Sequence, residues 1–216
     1  MLNYQRLPLW RLTLLRRQLC ESIGRSTYSR PSYGYVVPKL RQHCPGPGIF
    51  VEAGAVDGFF ESNTYELERF HGWRGLLVEP VPAMFARIAS TRPKAIAVNC
   101  ALVADEAATP FVAIQPAHAM SQVAATAGSG TVRVPGRTLS SLLNEHALGP
   151  VDVLSLDIEG YEIEALKGLE LARHAPRFLL VECLTPDARA QMDAFLEGRY
   201  AAVEQLTYRD VLYRAL

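Results

Sequence analysis

Five short apolar runs, each ending at or beside an acid or an amide, constrain the fold of this chain more than any other sequence feature. The runs lie at 49–54, 75–79, 95–102, 151–158 and 177–182. Helical stretches separate most of them. Near-continuous apolar strands that alternate with helices are typical of a parallel sheet covered on both faces. The sequence therefore predicts an α/β fold with a mostly parallel sheet.

The remaining strand signals extend this sheet and add a hairpin. The segments 201–207 and 210–215 predict an antiparallel C-terminal strand pair that closes the sheet, and 111–115 with 131–134 predict an extra hairpin. The 216 residues suffice for one globular domain and a short extension. We expect an N-terminal helical extension and connector over 1–38 and the main domain over 39–216.

Charge and cysteine usage exclude two classes of site. Lysine plus arginine and aspartate plus glutamate both number 22, so the net charge is zero. Proteins that bind nucleic-acid phosphates carry an excess of positive charge, so no nucleic-acid partner is expected.

The four cysteines lack the spacing of a zinc site. Cys100 and Cys183 lie in apolar runs, which predicts reduced core thiols. A reducing cytoplasm is the simplest location.

The segment 1–25 intersperses five arginines among leucines. It lacks the uninterrupted apolar region of a secretory signal, and no run in the chain reaches the roughly 18–20 apolar residues that span a bilayer. Two interpretations stay open. The segment is a helix that packs on the domain or on a second copy in a homodimer, or it is a basic amphipathic helix that contacts the inner membrane surface.

The loop after the first strand, Glu52-Ala-Gly54-Ala-Val-Asp57-Gly58, predicts a cofactor site. Ligands of open α/β sheets bind beyond the carboxyl ends of the strands, and glycines let the backbone approach them. The spacing is not that of a dinucleotide-binding loop. A carboxylate at Asp57 suits S-adenosylmethionine, which carries an ammonium and a cationic sulfur. The alternative is a loop that merely turns the chain.

Glu79 and the segment that begins at Asp157 complete the predicted site. Glu79 follows Asp57 at about the interval at which an acid meets ribose hydroxyls; the alternative is a solvated acid. Asp157 and Glu159 are candidates for a general base, or, with Glu182, for a Mg²⁺ site. In another interpretation Glu159 and the neighbouring Glu162 cap the next helix. His118, in a small polar loop, is a further candidate base.

These motifs resemble the FkbM family of methyltransferases. The resemblance rests on Phe50–Gly58, Ser62-Asn63-Thr64, Gly72–Pro80, Asn99–Leu102 and Leu154–Glu162, in the family's order. It implies a class I methyltransferase (Rossmann-like) sheet and O-methylation of a hydroxyl on a small-molecule or glycan acceptor: a sugar, a glycolipid or a glycosylated metabolite. The candidate cofactor residues are then Glu52, Gly54, Ala55, Asp57, Gly58, Asn63, Glu79, Pro80, Asn99, Ala101 and Asp157.

Two other functions compete with a methyltransferase. A nicotinamide-dependent oxidoreductase would need a third glycine in the first loop and a Tyr-x-x-x-Lys pair, and the sequence shows neither. A scaffold protein that kept the fold and lost turnover would retain cofactor binding without transfer. The segment before the first strand also departs from the family, because Ser32 and the residues after it lack a Gln and an Asp found there in many members.

Overall fold

A seven-stranded sheet organises the chain. The computed structural model describes residues 7–32, 35–116, 122–123, 128 and 130–216. Within them the helices are α1 Leu7–Ser22, α2 Val36–His43, α3 Tyr65–His71, α4 Pro82–Thr91, α5 Leu139–Glu145, α6 Glu162–Lys167, α7 Leu171–His174 and α8 Pro186–Leu196. The strands are β1 Ile49–Ala53, β2 Arg74–Val78, β3 Ile96–Val98, β4 Ala101–Leu102, β5 Phe111–Gln115, β6 Gln122–Val123, β7 Val132–Arg137, β8 Val153–Leu156, β9 Phe178–Glu182, β10 Tyr200–Gln205 and β11 Asp210–Ala215.

The order of strands in this sheet is β10-β11-β9-β8-β1-β2-β3. The five strands from β9 to β3 are parallel, and β11 pairs antiparallel with both β9 and β10. The predicted parallel sheet with an antiparallel C-terminal pair is therefore confirmed. Successive strands are added outward from β1 in opposite directions, through β2 and β3 on one side and β8 and β9 on the other. The carboxyl ends of β1, β2 and β8 therefore open onto one crevice.

Alternate residues of the strands pack into two separate hydrophobic cores, one on each face of the sheet. Val51 and Leu179 face one core, together with side chains of α5, α6 and α8. Phe50 and Leu180 face the other core, together with side chains of α2, α3 and α4. Successive strand residues point to opposite faces, and both faces of this sheet are apolar. The predicted helices on both faces are confirmed.

A second sheet, β4-β7-β5-β6, lies beside the crevice. Its β5–β7 hairpin was expected from the sequence and is confirmed. The single strand predicted over 95–102 is wrong, because the chain leaves the main sheet after Val98 and β4 joins the second sheet. The helical stretch between β8 and β9 is divided near Gly168 into α6 and α7. A Cβ on Gly168 would lie 2.3 Å from the Val103 carbonyl oxygen, so the backbones meet there.

The N-terminal residues form two helices. α1 confirms the predicted helix, whereas the expected connector ends early because α2 begins at Val36 and buries Val36, Val37 and Leu40. α2 runs across residue 38, and the domain division there stays a prediction. Within the described part of the chain, no helix combines the length and the apolar character that a bilayer crossing requires.

Candidate functional site

Two adjoining cavities lie at the carboxyl ends of the parallel strands. The acidic cavity, of about 190 Å³, is walled by the ends of β1, β8 and β9 and by the β10–β11 turn. The apolar cavity, of about 60 Å³, is walled by the end of β2, by β4 and by the second sheet. The two cavities share Ala53, Gly54, Val56, Asp157 and Glu159. A ligand that spans both would pass over the loop after β1.

Most of the predicted site residues line these cavities. Gly54, Asp157 and Glu159 line both; Glu52, Asn63 and Glu182 line the acidic cavity; and Glu79, Pro80 and Ala101 line the apolar one. Four others lie outside both linings: Ala55, Asp57, Gly58 and Asn99. His118 lies outside the described residues, and its role stays a prediction.

Gly54 permits the close approach on which the crevice depends. Its φ is +86°, in the left-handed region that favours glycine. A Cβ at this position would lie 1.8 Å from the Asp157 carbonyl oxygen. The end of β1 therefore packs directly on the end of β8, and this contact brings the first loop beside Asp157.

Glu52 holds the segment that precedes α3. Its carboxylate accepts hydrogen bonds from the Ser62 hydroxyl (2.8 Å), the Asn63 amide (2.7 Å) and the Thr64 hydroxyl (2.6 Å). The spacing of Asn63 and Glu66 is that of a capping box, but none forms, because Thr64 occupies the N-cap and makes no side-chain cap hydrogen bond. The side-chain amide of Asn63 donates a hydrogen bond to the Ser155 hydroxyl at 3.3 Å.

Arg92 completes this arrangement, and its role was not predicted from the sequence. Its guanidinium is buried, donates to Ser62 and Thr64, pairs with Glu68 at 2.7 Å, and lies 3.7 Å from Glu52. A Cβ on Gly58 would lie 2.9 Å from the Cγ of Arg92, which is too close. Gly58, predicted as a cofactor contact, therefore makes room for Arg92.

Asp57 and Asn99 shape the backbone around the cavities. Asp57, 2% exposed, accepts hydrogen bonds from the amides of Phe59 (3.0 Å) and Phe60 (2.8 Å). The Asn99 side chain donates to the carbonyl oxygens of Glu79 (2.7 Å) and Pro80 (2.9 Å). Both predicted residues therefore act on the shape of the loops, and neither lines a cavity.

Glu79 lies directly after β2 and lines the apolar cavity, and its contact with ribose hydroxyls stays a prediction. It accepts hydrogen bonds from the amides of Val56 and Val81, both at 2.8 Å. Burial raises the pKa of Glu79 to about 7, the two amides oppose this shift, and nearby Asp57 adds to it. A carboxylate offers about four acceptor positions, so two remain for donors on a ligand in the apolar cavity.

Asp157, Glu159 and Glu182 come together as the sequence predicted. Each offers one carboxylate oxygen within 4.8 Å of the others. β8 ends at Leu156, so Asp157 and Glu159 project from the following loop and not from the strand. Burial, followed by repulsion and a shared proton with Glu182, raises the pKa of Asp157 to about 9. The carboxyl pair of Asp157 and Glu182 therefore retains a proton at pH 7, and burial favours its place on Asp157.

The helix-capping interpretation of Glu159 and Glu162 is wrong, because Tyr161 occupies the N-cap of α6 and no side chain makes a cap hydrogen bond there. Glu162 is the first residue of α6, and its carboxylate accepts hydrogen bonds from the amides of Ile158 and Gly160, both at 3.1 Å. Glu159 adopts a left-handed φ of +58° and lines both cavities. Glu162 thus fixes the loop that presents Asp157 and Glu159.

The lining of the acidic cavity is strongly unbalanced in charge. Its carboxylates are those of Glu52, Glu61, Asp157, Glu159, Glu182 and Asp210, and its cationic side chain is Arg209, which donates to Glu182 at 3.3 Å. Burial and the neighbouring acids raise the pKa of Glu61, of Glu159 and of Asp210. Such a cavity favours a cationic or neutral hydroxyl-bearing ligand and disfavours an anionic one.

Sequence reasoning missed Glu61 and the turn Thr207–Asp210 as parts of the site. The turn reaches the cavity because β11 pairs with β9, so that Asp210 lies opposite Glu182. The C-terminal strand pair was predicted, but no local sequence feature indicates that β11 pairs with β9.

Comparisons with known proteins agree with this arrangement. The model of the methyltransferase FkbM domain matches residues 52–209. The chain is similar to a methyltransferase FkbM from Methylobacillus flagellatus (16% identity, TM-score 0.56, 94% of this chain and 52% of that one). It therefore spans about half the length of that protein. A comparison with curated protein sequences finds no significant match.

Two further solved structures share the fold. One is an O-methyltransferase from Bacillus cereus in complex with S-adenosylhomocysteine (12% identity, TM-score 0.52, 95% of this chain and 90% of that one). The other is an S-adenosylhomocysteine-bound methyltransferase from Podospora anserina (11% identity, TM-score 0.51, 94% and 88%). The predicted class I methyltransferase fold is confirmed. Because the family model covers most of the chain, the protein belongs to the FkbM family of methyltransferases.

Proposed function

We propose that the protein is an S-adenosylmethionine-dependent O-methyltransferase that acts on a hydroxyl of a sugar, a glycolipid or a glycosylated metabolite. The observation that carries the proposal is the pair of adjoining cavities that share Gly54, Asp157 and Glu159. Apart from the shared Asp157 and Glu159, one cavity is apolar with one buried acid, Glu79, and the other is rich in carboxylates. Adenosine fits the first description, and a cationic methionine end fits the second.

The residues divide between the two ends of the cofactor. In the apolar cavity, Ala101 and Leu102 would cover the adenine, and Glu79 would accept hydrogen bonds from the ribose hydroxyls. In the acidic cavity, the carboxylates would balance the ammonium and sulfonium charges. The bound cofactor would supply an electrophilic methyl group. The structures with bound S-adenosylhomocysteine support this choice of cofactor through the shared fold.

Asp157 is the residue best placed to act on an acceptor hydroxyl. It lies at the junction of the two cavities, beside Glu159 and Glu182. A cationic cofactor nearby would favour the charged form of Asp157, which is the form that accepts a proton. The acidic lining repels phosphates, so we propose a neutral small-molecule or glycan acceptor and no nucleic acid.

The Mg²⁺ site at Asp157, Glu159 and Glu182 stays a prediction. Carboxylate oxygens are the ligands that Mg²⁺ prefers, but it also needs near-octahedral geometry with several waters. The measurement is methyl transfer by chelator-treated protein, with and without added Mg²⁺. Unchanged activity after chelation assigns the three carboxylates to acid–base work alone. Activity that returns with Mg²⁺ assigns them to the metal.

The scaffold alternative predicts cofactor binding without turnover. Isothermal titration with S-adenosylhomocysteine, with NAD as control, tests the cofactor, and a screen of neutral glycosides tests transfer. Binding of S-adenosylhomocysteine alone, followed by transfer to a glycoside, supports the proposed enzyme. Absence of S-adenosylhomocysteine binding in a folded sample contradicts it. Binding with no transfer to any glycoside favours the scaffold.

Replacing Glu79 with Gln should weaken S-adenosylhomocysteine binding about 10- to 100-fold. The amide can accept at one atom only, so acceptors for a ribose hydroxyl are lost at a cost of about 1–3 kcal/mol. Titration calorimetry at pH 8 gives the affinity, and a urea curve checks the fold. Glu197→Gln, an exposed substitution, is the matched control. Equal affinities of Glu79→Gln and the control would contradict the assignment.

The same carboxyl should make binding depend on pH. Because the pKa of Glu79 is raised to about 7, the charged acceptor form disappears as the pH falls through that value. The Glu79-dependent part of the affinity should drop about tenfold between pH 8 and pH 6. Calorimetry across this range on wild type and Glu79→Gln measures the difference. Parallel pH profiles of the two proteins would contradict the prediction.

A further inference from the structure

α1 buries an ion pair beside Trp10 and exposes an apolar stripe, unlike a helix whose apolar side simply covers a core. The side chains of Arg17 and Glu21 on its inner face are 3% and 2% exposed. On its outer face Leu12 is 61% exposed and Leu19 is 68% exposed. A surface helix normally buries its apolar stripe and exposes its charges.

Polar contacts hold the inner face on the domain. The Arg17 guanidinium lies 3.8 Å from the Phe59 ring centroid and 4.8 Å from that of Tyr65. Glu21 accepts hydrogen bonds from the Tyr65 hydroxyl (2.8 Å) and from Arg69 (2.6 Å). These contacts fix the rotation of α1 about its axis and leave the leucines outside.

The outer face forms one continuous stripe. Leu12, Leu15, Leu19 and Ile23 follow one another at intervals of three or four residues, which places them on one side of a helix. All four are exposed, and so is Leu9 one turn earlier. Scattered exposed leucines need no explanation, but a contiguous stripe marks an interaction surface.

The charges beside this stripe are positive. Arg11, Arg16 and Arg25 are exposed on or just after α1, and Arg16 stacks on the exposed Tyr28 at 4.0 Å from the ring centroid. Glu21 is the one acidic residue within Leu7–Ser22, and its carboxylate pairs with Arg17 and Arg69 on the inner face. The described outer surface of α1 therefore combines apolar and cationic side chains without an acid.

We propose that the outer face of α1 docks on the surface of an anionic lipid bilayer. Leucines that enter the headgroup boundary, arginines that meet lipid phosphates and an aromatic ring beside them match what such a surface recognises. A second copy of the chain fits less well. Two α1 stripes placed together would bring Arg11 and Arg16 of both copies close, with no exposed acid in either helix to pair with them.

This inference does not depend on the proposed transfer reaction. The position of α1 nevertheless links the docking face to the acidic cavity. Arg17 of α1 packs on Phe59, and the next residues, Phe60 and Glu61, line that cavity. If the outer face of α1 binds a bilayer, α1 itself lies between that bilayer and the loop with Phe60 and Glu61. A lipid-linked acceptor would then be presented near the site.

The test is sedimentation of the full chain with lipid vesicles. The probes are vesicles of phosphatidylcholine alone and vesicles of equal parts phosphatidylcholine and phosphatidylglycerol. We expect binding to the mixed vesicles that weakens as salt is added. Leu12→Gln/Leu15→Gln/Leu19→Gln should abolish it. Arg11→Glu/Arg25→Glu should weaken it at least about 25-fold, since one arginine contributes about a factor of five.

Arg199→Glu/Arg214→Glu, two exposed substitutions remote in sequence with the same change in net charge, is the matched control and should bind as wild type does. Failure to bind the mixed vesicles, or equal binding to both vesicle types, overturns the proposal. So does a lipid-free dimer, measured by sedimentation velocity, that the leucine variant dissociates. Binding by the leucine variant at the wild-type level overturns it as well. Each variant changes exposed side chains, so unchanged urea midpoints verify the fold.

Discussion

Asp157→Asn should make the protein more stable and the enzyme nearly inactive. We expect the free energy of unfolding at pH 8 to rise by about 2–4 kcal/mol and the rate of methyl transfer to fall about 10²- to 10⁴-fold. The two effects have one cause. Asp157 is half-buried beside Glu182, Glu159 and Asp210, where its charge is costly, and that charge is what would accept the proton of the acceptor.

The stability gain has a defined pH window. The pKa of Asp157 is about 9 in the folded protein and about 3.9 in an unfolded chain. The folded protein therefore retains a proton that the unfolded chain releases, and its stability declines as the pH rises from about 4 to about 9. Asparagine does not titrate, so the advantage of the variant should grow with pH across this window and level off above it.

Urea unfolding of wild type and Asp157→Asn at pH 5, 7 and 8.5 measures this difference. S-adenosylhomocysteine titration shows whether the cofactor site survives. Glu197→Gln, which neutralises an exposed acid, should change neither stability nor transfer. A variant less stable than wild type at pH 8.5 would contradict the repulsion among the four acids. Transfer at the wild-type rate would remove Asp157 from the reaction.

The fold was predictable because its signals are local and repeated. Runs such as 177–182 fill both faces of a strand with apolar side chains, and this pattern is typical of a parallel sheet with two covered faces. The edge position of Asp157 and Glu79 then followed from topology, since parallel strands end at the same rim. The departure of β4 from the main sheet was not predictable, because strand signals from Ala95 to Leu102 are nearly continuous.

The roles of individual acids were harder to predict than their positions. Glu52 lies at the end of β1, and Asp57 and Glu79 follow β1 and β2. Asp57 nevertheless binds two amides of its own turn, and Glu52 binds the segment before α3. Which donor a carboxylate meets depends on the φ angles of the loop, such as those of Gly54 and Val56. A single sequence does not report those angles.

Arg92 is the clearest case of a residue that sequence reasoning cannot find. It stands in Ser90-Thr-Arg-Pro-Lys94, a polar segment at the C-terminal end of α4 that resembles a solvated helix end. Its partners Glu68, Ser62 and Gly58 lie 24, 30 and 34 residues away. Only the assembled fold brings them around the guanidinium, and the pattern of a single chain carries no record of it.

Arg92→Leu should lower the free energy of unfolding by about 3–5 kcal/mol. Removing one partner of a buried ion pair leaves the other uncompensated. Here Glu68 would lose its cation and Glu52 the nearby positive charge, while Ser62 and Thr64 would each lose a donor. Because Glu52 and these hydroxyls fix the segment beside the acidic cavity, S-adenosylhomocysteine affinity should also fall, by about tenfold.

Urea unfolding of Arg92→Leu, of Glu68→Gln and of the double variant measures the coupling between the two side chains. Arg199→Leu, which removes an exposed arginine, controls for the loss of charge and should cost less than about 0.5 kcal/mol. We expect the double variant to be more stable than Arg92→Leu, because Glu68→Gln removes the carboxylate that the lost arginine leaves buried. Additive losses would mean that Arg92 acts by packing alone. A loss of less than about 1 kcal/mol in Arg92→Leu would show that water replaces the guanidinium and that the segment before α3 holds its position without it.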